Sequence, residues 1–328
     1  MSSGPRHAAL LAVLLASCSG AGADVGPTVD VATPAAAPQP RTPPVGEVLR
    51  AGAQVTALAV DPYSRTLAVG VRDPDRLLLL GLDDFAAVRE ISLTGTAAEL
   101  TPSDGVLLAS LPDPRSLVEF GLPDGTLREE IGLDGPVRDA TVVADRTVVA
   151  LGDRLAVLDG GVRTIPGFAD AAQLVAVGNR VAVLDRAQTS LAVVEPATGR
   201  EGPALRAGNG ATSAVGDRFG RILVVDTRQG ELLAFSGDPL LLRQRFPVPG
   251  APYGLAYDAR HDLAWVTLTA RNEVVGFDMA GGEPVERHRF PTVQQPDSVA
   301  VDSRTGRVVV GSSSGAGVQV IDPGQVVQ

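Results

Sequence analysis

The sequence has 328 residues, 38 acidic and 28 basic, and a formal net charge of −10. Nucleic acid is excluded as the expected partner, because neutralising phosphates requires clustered basic surface and the arginines here are dispersed. With 45% hydrophobic residues the chain can bury a large core, and its single cysteine excludes an intramolecular disulfide and a multi-cysteine metal site.

The first 17 residues are typical of a secretory signal peptide, with a short polar start and an apolar run over residues 8–16 that is too short for a resident membrane helix. The segment Leu15-Ala16-Ser17-Cys18 follows and resembles the lipobox of bacterial lipoproteins. That resemblance implies acylation of Cys18, as with palmitate, and an anchor on the extracytoplasmic face of the cell membrane. An ordinary secretory signal with an incidental cysteine is the alternative.

Residues 18–45 are rich in proline and alanine and contain almost nothing that could form a core. Proline fixes φ and favours polyproline II, so this composition predicts a disordered, semi-extended tether after the lipidated Cys18. We expect the tether to hold the folded body clear of the membrane or cell wall without packing onto that body.

One unit recurs from residue 46 to residue 328. Three stretches align on an aspartate as strand, turn and strand, and a fourth keeps the aspartate: VTALAVDPYSRTLAVGV, PYGLAYDARHDLAWVTL, PDSVAVDSRTGRVVVGS and TSAVGDRFGRILVVD. The aspartates Asp61, Asp258, Asp302 and Asp217 are predicted to start turns by bonding to their own backbone. Their shared position therefore indicates repeated hairpins, not a catalytic carboxylate set.

The repeats predict an all-β fold, a seven-bladed β-propeller over residues 46–328. The spacing of roughly 40 residues is that of four-stranded propeller blades. Outer strands are predicted at the charged segments REISL, LREEIGL, VRTIPG, LLRQRFPV and VERHRFP. Inner strands are predicted to begin near Val55, Ala98, Val137, Ala171, Thr212, Tyr253 and Asp297.

The last repeat ends before a fourth strand, whereas residues 46–50 form a strand-like segment with no blade of its own. We expect the strand near Val48 to complete the blade that contains Val320. Closure of this kind removes an exposed sheet edge.

The recurring P-x-x-[VL]-A-[VY]-D strand, seen in PYGLAYD and PDSVAVD, resembles that of the YncE-like and NHL-like propellers. The resemblance spans residues 46–328 and is strongest in the first and the last two blades. It implies a bacterial surface or periplasmic lipoprotein that binds or scaffolds. A fold hosts unrelated activities, so it leaves the function open.

The candidate ligand-binding residues are those at which the inner strands begin: Thr56, Thr212, Tyr253 and Asp297. Arg138, Asp139 and Gln173 stand nearby in the less regular blades. Propeller ligands bind at a mouth of the central channel, where these positions converge. A polar ring that merely hydrates a water-filled channel is the alternative.

No zinc-helix, Walker or EF-hand motif occurs in the sequence. His261 falls in a turn, His288 on a charged outer strand and Trp265 in a core strand. We therefore predict no catalytic residue, no metal and no cofactor, and a non-enzymatic module that binds a protein, peptide or envelope ligand. The alternative is a metal-dependent lactonase-like or lyase-like propeller that uses Asp297 and Glu99.

Overall fold

The computed structural model describes residues 25–325, so the predicted signal peptide and Cys18 lie outside the described residues. Within that range the chain forms 27 strands and no helix. Consequently, no described segment is a helix of the length and apolarity that a membrane crossing requires.

Each inner strand begins within two residues of its predicted position, with one exception. The exception is the fourth, which starts at Val162 instead of near Ala171. Inner strands alternate small apolar residues with polar ones because one face packs on a neighbouring sheet and the other faces the centre. They are β2 (Gln54–Asp61), β6 (Glu99–Ser103), β10 (Asp139–Val143), β13 (Val162–Val177), β17 (Ala211–Gly216), β21 (Pro252–Asp258) and β25 (Pro296–Asp302).

The second and third strands are the most apolar, because both of their faces are covered by neighbouring sheets. The second strands are β3 (Thr66–Arg72), β7 (Val106–Leu111), β11 (Arg146–Ala150), β14 (Arg180–Asp185), β18 (Arg221–Asp226), β22 (Leu263–Leu268) and β26 (Arg307–Ser312). The third strands are β4 (Arg76–Gly81), β8 (Ser116–Gly121), β12 (Gly152–Leu158), β15 (Ser190–Glu195), β19 (Glu231–Gly237), β23 (Glu273–Asp278) and β27 (Val318–Ile321).

Outer strands carry most of the exposed charge, as edge strands that avoid further pairing should. They are β1 (Glu47–Leu49), β5 (Ala87–Ser92), β9 (Thr126–Gly132), β16 (Arg200–Arg206), β20 (Leu240–Pro247) and β24 (Val285–Pro291). All pairing is antiparallel, and five sheets have four strands each.

The sixth sheet has seven strands, β10 to β16, and is held together by β13. Residues 162–166 of β13 pair with β12, residues 173–177 pair with β14, and Ala171 pairs on both sides, with Gly152 and with Asp185. The predicted outer strand VRTIPG and the predicted inner strand near Ala171 are thus one continuous strand. With six sheets in place of seven separate ones, the predicted count of seven blades is not confirmed.

The sheets are arranged in a ring. Inner strands contact one another in the order β2, β6, β10, β13, β17, β21, β25 and back to β2. Apolar clusters fill the space between adjacent sheets; Trp265, for example, packs with Val308 and Val310 of the next sheet. Because neighbouring strands are antiparallel, every inner strand begins on the face that also carries the loops between second and third strands. We call this the mouth face.

The turn aspartates behave as predicted. Asp61, Asp217, Asp258 and Asp302 each accept hydrogen bonds from backbone N–H groups two to four residues further along the chain. These four carboxylates therefore hold hairpins together, and none of them lines the central cavity.

The predicted closure is also confirmed. β1 pairs with β27, with Glu47 opposite Val320, Val48 opposite Gln319 and Leu49 opposite Val318. The N-terminal strand is thus the fourth strand of the sheet β25–β26–β27, which we call the closing sheet.

The expectation that the proline-rich tether does not pack onto the body is wrong for residues 25–45, which we call the docked segment. It has no regular secondary structure but lies on the mouth face. The Val29 N–H donates to the Ala187 carbonyl, and the Val45 N–H donates to the Pro291 carbonyl. Ala32 is 4% exposed. Composition predicted the absence of a core but could not reveal that polar side chains of the body would bind this backbone.

Candidate functional site: the channel mouth

The ring surrounds a cavity of about 230 Å³ at the start of the inner strands. All four predicted ligand-binding residues line it, together with Arg138 and Gln173. The remaining lining residues also lie on or beside inner strands, apart from Arg186: Ala57, Leu58, Ala98, Glu99, Asp170, Ala172, Arg186, Ser213, Gly254, Leu255, Ser298 and Val299.

A β-bulge marks each of the four predicted positions. The register with the second strand shifts across Thr56, Thr212 and Asp297, and across Tyr253 together with its neighbour Gly254. A bulged residue is released from the ladder and its side chain is re-aimed, which is why bulges are common next to binding sites. The bulges explain why residues that break the apolar pattern converge on one cavity.

Close packing beside Tyr253 requires a glycine. A Cβ on Gly254 would lie 3.0 Å from both the Asp297 carbonyl oxygen and the Thr267 hydroxyl, and its N–H donates to that hydroxyl at 2.9 Å. Gly254 therefore allows β21 and β25 to approach each other at the rim of the cavity.

Asp297 is an acid at the mouth whose side chain is held by hydrogen bonds. Its carboxylate accepts hydrogen bonds from Gln295 Nε2 at 2.8 Å and from the Ser313 hydroxyl at 2.6 Å. Burial raises its pKa, opposed by these two hydrogen bonds and by the charge of Arg72. The side chain is thereby fixed in orientation, as a ligand-positioning residue needs to be.

Two further acids lie close together beside the mouth: Glu99, which lines the cavity, and Asp139, which is buried behind it. Burial raises the pKa of Glu99, and burial together with the Glu99 charge raises the pKa of Asp139 well above its usual value. Asp139 accepts hydrogen bonds from the Leu174 and Ala140 N–H groups, both at 2.7 Å. Gln173 bridges Glu99 to the Ala214 N–H. The sequence placed Asp139 and Gln173 near the mouth but gave no sign of this network.

Arginine side chains supply positive charge at the same rim. Arg138 lies 3.6 Å from the Asp170 carboxylate, and Arg186 donates to the Ala32 carbonyl of the docked segment at 2.8 Å. The hydroxyl oxygens of Thr56 and Ser298 are buried without a hydrogen-bond partner among the described residues. The cavity therefore offers both charge signs to a polar ligand, whereas these two hydroxyls face Gly70 and Gly311 of the second strands.

His261, His288 and Trp265 lie away from this cavity, as predicted. His261 is in the turn between β21 and β22, bonded to Asp258, and His288 is on β24, stacked on the buried Trp265. Within residues 25–325, no three His, Cys, Asp or Glu side chains come together as a possible metal site.

A ring of antiparallel sheets around a polar channel defines a β-propeller, and the solved structures that resemble the chain are propellers. Hydrazine synthase of Kuenenia stuttgartiensis superposes with a TM-score of 0.72 at 14% identity, covering 86% of this chain and 99% of that one. A catalytically inactive virginiamycin B lyase from Staphylococcus aureus, with quinupristin, gives 0.70 at 12%, covering 84% and 97%.

The RRP9 WD40 repeats give a TM-score of 0.72 at 11% identity, covering 84% of this chain and 96% of that one. No protein-family model matches the chain, and no curated protein matches it. At these identities the similarities show the fold alone, and that fold hosts both enzymes and WD40 repeats.

Proposed function

We propose that this propeller is a non-enzymatic binding module whose ligand, a protein, peptide or envelope component, contacts the channel mouth at Thr56, Thr212, Tyr253 and Asp297. The observation that carries the proposal is the convergence of four bulged residues, from four separate inner strands, on one cavity. The similarity to WD40 repeats, a fold used for protein interactions, supports a protein or peptide ligand. We also propose that the ring consists of seven blades of the YncE-like or NHL-like kind, two of which share β13.

The test uses alanine at the mouth. Thr56→Ala, Tyr253→Ala and Asp297→Ala should leave the melting temperature nearly unchanged, because mouth residues contribute little core burial. Each should reduce, by about tenfold or more, the retention of whatever the wild type captures from a cell-envelope extract. Tyr63→Ala is the matched control, since Tyr63 is 91% exposed in a turn on the opposite face. Equal loss in Tyr63→Ala and Tyr253→Ala would contradict the proposal.

We also propose that the protein is exported and held by lipid on Cys18, without a nucleic-acid partner. Several acyl chains on one residue give stable anchoring, because each buried methylene contributes about 0.8 kcal/mol. Cys18→Ser should move the protein from the membrane to the soluble fraction, whereas Ser19→Ala should not. Wild type in the soluble fraction, with its leader cleaved elsewhere, contradicts the anchor.

One observation favours the alternative, a metal-dependent lactonase-like or lyase-like enzyme. Glu99 and Asp297 line the same cavity, and carboxylates are the ligands that Ca²⁺ prefers. A thermal-shift scan with Ca²⁺ and Zn²⁺ separates the two functions. A metal-dependent rise in melting temperature that disappears in Asp297→Ala, together with lactone or ester hydrolysis, supports the enzyme and overturns the binding module.

A further inference from the structure

The body holds the docked segment through the segment's backbone. Arg228 Nη2 donates to the Asp30 carbonyl at 2.6 Å, and Arg186 Nη2 donates to the Ala32 carbonyl at 2.8 Å. Asn272 Nδ2 donates to the Pro38 carbonyl at 2.8 Å. In the described residues, no side chain of residues 25–43 makes a hydrogen bond to the body.

Gln295 is the centre of this attachment. Its Nε2 donates to the Ala35 carbonyl at 3.0 Å, and its Oε1 accepts from the Ala37 N–H at 2.8 Å. The Thr269 hydroxyl accepts from the Ala35 N–H at 3.1 Å. An amide that pairs with a donor and an acceptor of an extended chain selects a backbone geometry and not a side chain.

The side chains of the docked segment add a size limit. Ala32 is buried, Pro34, Ala35 and Ala37 are half-buried, and the intervening residues point into solvent. An extended proline-rich chain has few N–H donors and keeps all its carbonyl acceptors, so a surface of arginine and amide donors matches its chemistry. Small residues at positions 32, 35 and 37 allow the backbone to lie close to these donors.

We propose that Arg186, Arg228, Thr269, Asn272 and Gln295 form a peptide groove that binds an extended proline- and alanine-rich segment of a partner protein. Residues 28–40 of the chain occupy the groove in cis, and the partner's segment replaces them. This inference rests on the proposed function and names its ligand class.

The groove is linked to the channel mouth. Gln295 Nε2 is shared between the Ala35 carbonyl and Asp297 Oδ1, and Arg186 lines the cavity while it holds Ala32. Occupancy of the groove therefore fixes two side chains that line the cavity, Arg186 directly and Asp297 through Gln295. A peptide that displaces residues 28–40 acts on the same site as the proposed mouth ligand.

The test measures binding of a labelled synthetic peptide, TVDVATPAAAPQP, which corresponds to residues 28–40. A full-length chain should bind it at least tenfold more weakly than a chain lacking residues 25–43, because a tethered competitor acts at an effective concentration in the mM range. Full-length Ala32→Arg is the second variant: the larger side chain cannot fit the buried position, so it should free the groove without shortening the chain.

Specificity follows from the backbone contacts. A peptide with serine at the exposed positions 33, 36 and 39 should bind as well as the parent peptide, whereas one with arginine at position 32 should not bind. In the chain lacking residues 25–43, Gln295→Ala should weaken binding about tenfold. Gln229→Ala is the matched control: this exposed glutamine lies on the mouth face, and its side chain accepts a hydrogen bond from Arg245 and none from residues 25–43.

In one outcome, the peptide fails to bind both the chain lacking residues 25–43 and the Ala32→Arg chain, although circular dichroism shows that both are folded. That result overturns the groove and means that the docked segment is a permanent structural part. Concentration-dependent dimers of the full-length chain that vanish without residues 25–43 overturn the partner in favour of a second copy. The peptide could bind as expected while the mouth variants still retain every envelope component. That result supports the groove and contradicts the proposed mouth ligand, so failure of one proposal can be told from failure of the other.

Discussion

The docked segment and β1 are neighbours in sequence but attach to the ring by different means. β1 joins the closing sheet through a backbone ladder with β27, which also covers Val318 and Val320. Residues 25–43 are held by side chains of several loops and by one backbone hydrogen bond, from Val29 to Ala187, and only Ala32 among them is buried. The ladder makes β1 part of the core, whereas the docked segment is bound as a peptide ligand would be.

This contrast separates structure that a segment's own residue pattern encodes from structure that the segment adopts only when other residues bind it. The alternation around Val48 is a property of the strand, but the extended course of residues 25–43 depends on donors far along the chain, such as Gln295 and Asn272. Removal of the two regions should therefore have unequal costs.

The largest expected effect comes from deleting residues 46–51. Loss of the β1 ladder and exposure of the β27 edge should lower the free energy of unfolding by about 5 kcal/mol or more, whereas deletion of residues 25–43 should cost about 1–2 kcal/mol. Thermal melts of both variants measure the difference. If they melt at the same temperature, the contrast between ladder and bound peptide does not hold.

Gln319→Leu tests the junction between the two regions. Gln319 is buried, donates to the Val45 and Pro291 carbonyls at 2.7 and 3.1 Å, and accepts from the Val293 N–H at 2.9 Å. Leucine leaves the Val45 carbonyl and the Val293 N–H unpaired and should cost about 3 kcal/mol. Chemical denaturation measures the loss, with Gln229→Leu as control. If the two variants are equally stable, Gln319 does not contribute to the closure of the ring.

Gly46→Ala tests the point at which the docked segment ends and the ladder with β27 begins. Gly46 has φ +74°, and a Cβ there would overlap the Val320 carbonyl oxygen, so alanine should cost about 2 kcal/mol or more. Gly52 has φ +67° with open space around its Cβ position, so Gly52→Ala should cost only the backbone strain, about 1 kcal/mol. Melting temperatures that fall equally in both variants would show that the contact with β27 does not matter.

The smallest effect is expected in the channel, where neither attachment is disturbed. Because the native pKa of Glu99 is raised, its burial costs nothing below its ordinary pKa and destabilises increasingly as the pH rises through the raised value. Glu99→Gln should therefore raise the melting temperature more at pH 7.5 than at pH 4.5. Glu130→Gln, on the exposed β9, is the control. A shift that is the same at both pH values would contradict the raised pKa of Glu99.

Local patterns predicted most of the fold. Asp-led turns and apolar strands located the inner strands, and the missing fourth strand of the last repeat located the closure by β1. β16 was not predicted, because its segment REGPALR lacks apolar alternation and contains Gly202 and Pro203. The continuity of β13 was not predicted either, because Pro166 and Gly167 indicate a break in a strand. In the structure the strand continues past Gly167 with irregular pairing to its neighbours.

The sequence predicted which residues line the cavity but not their contacts, and ligand binding by them stays a prediction. The bulged residues depart from the apolar pattern, and that departure identified Thr56, Thr212, Tyr253 and Asp297. The Glu99, Gln173 and Asp139 network depends on three inner strands that meet only after the ring forms. The groove around Gln295 depends on loops of different sheets in the same way. Contacts of such long range leave no local signature.

The continuity of β13 makes one joint of the ring unlike the others. In the contact order of the inner strands, β10 and β13 lie across the ring from β25, the inner strand of the closing sheet. Amide hydrogens exchange with solvent through local opening, which is rare where the ladder is uninterrupted and frequent where a strand is short. The ring therefore closes at the three-residue β1, beside the docked segment, and is joined on its far side by the sixteen-residue β13. We therefore expect the amide hydrogens of β1 to exchange with solvent faster than those of β13.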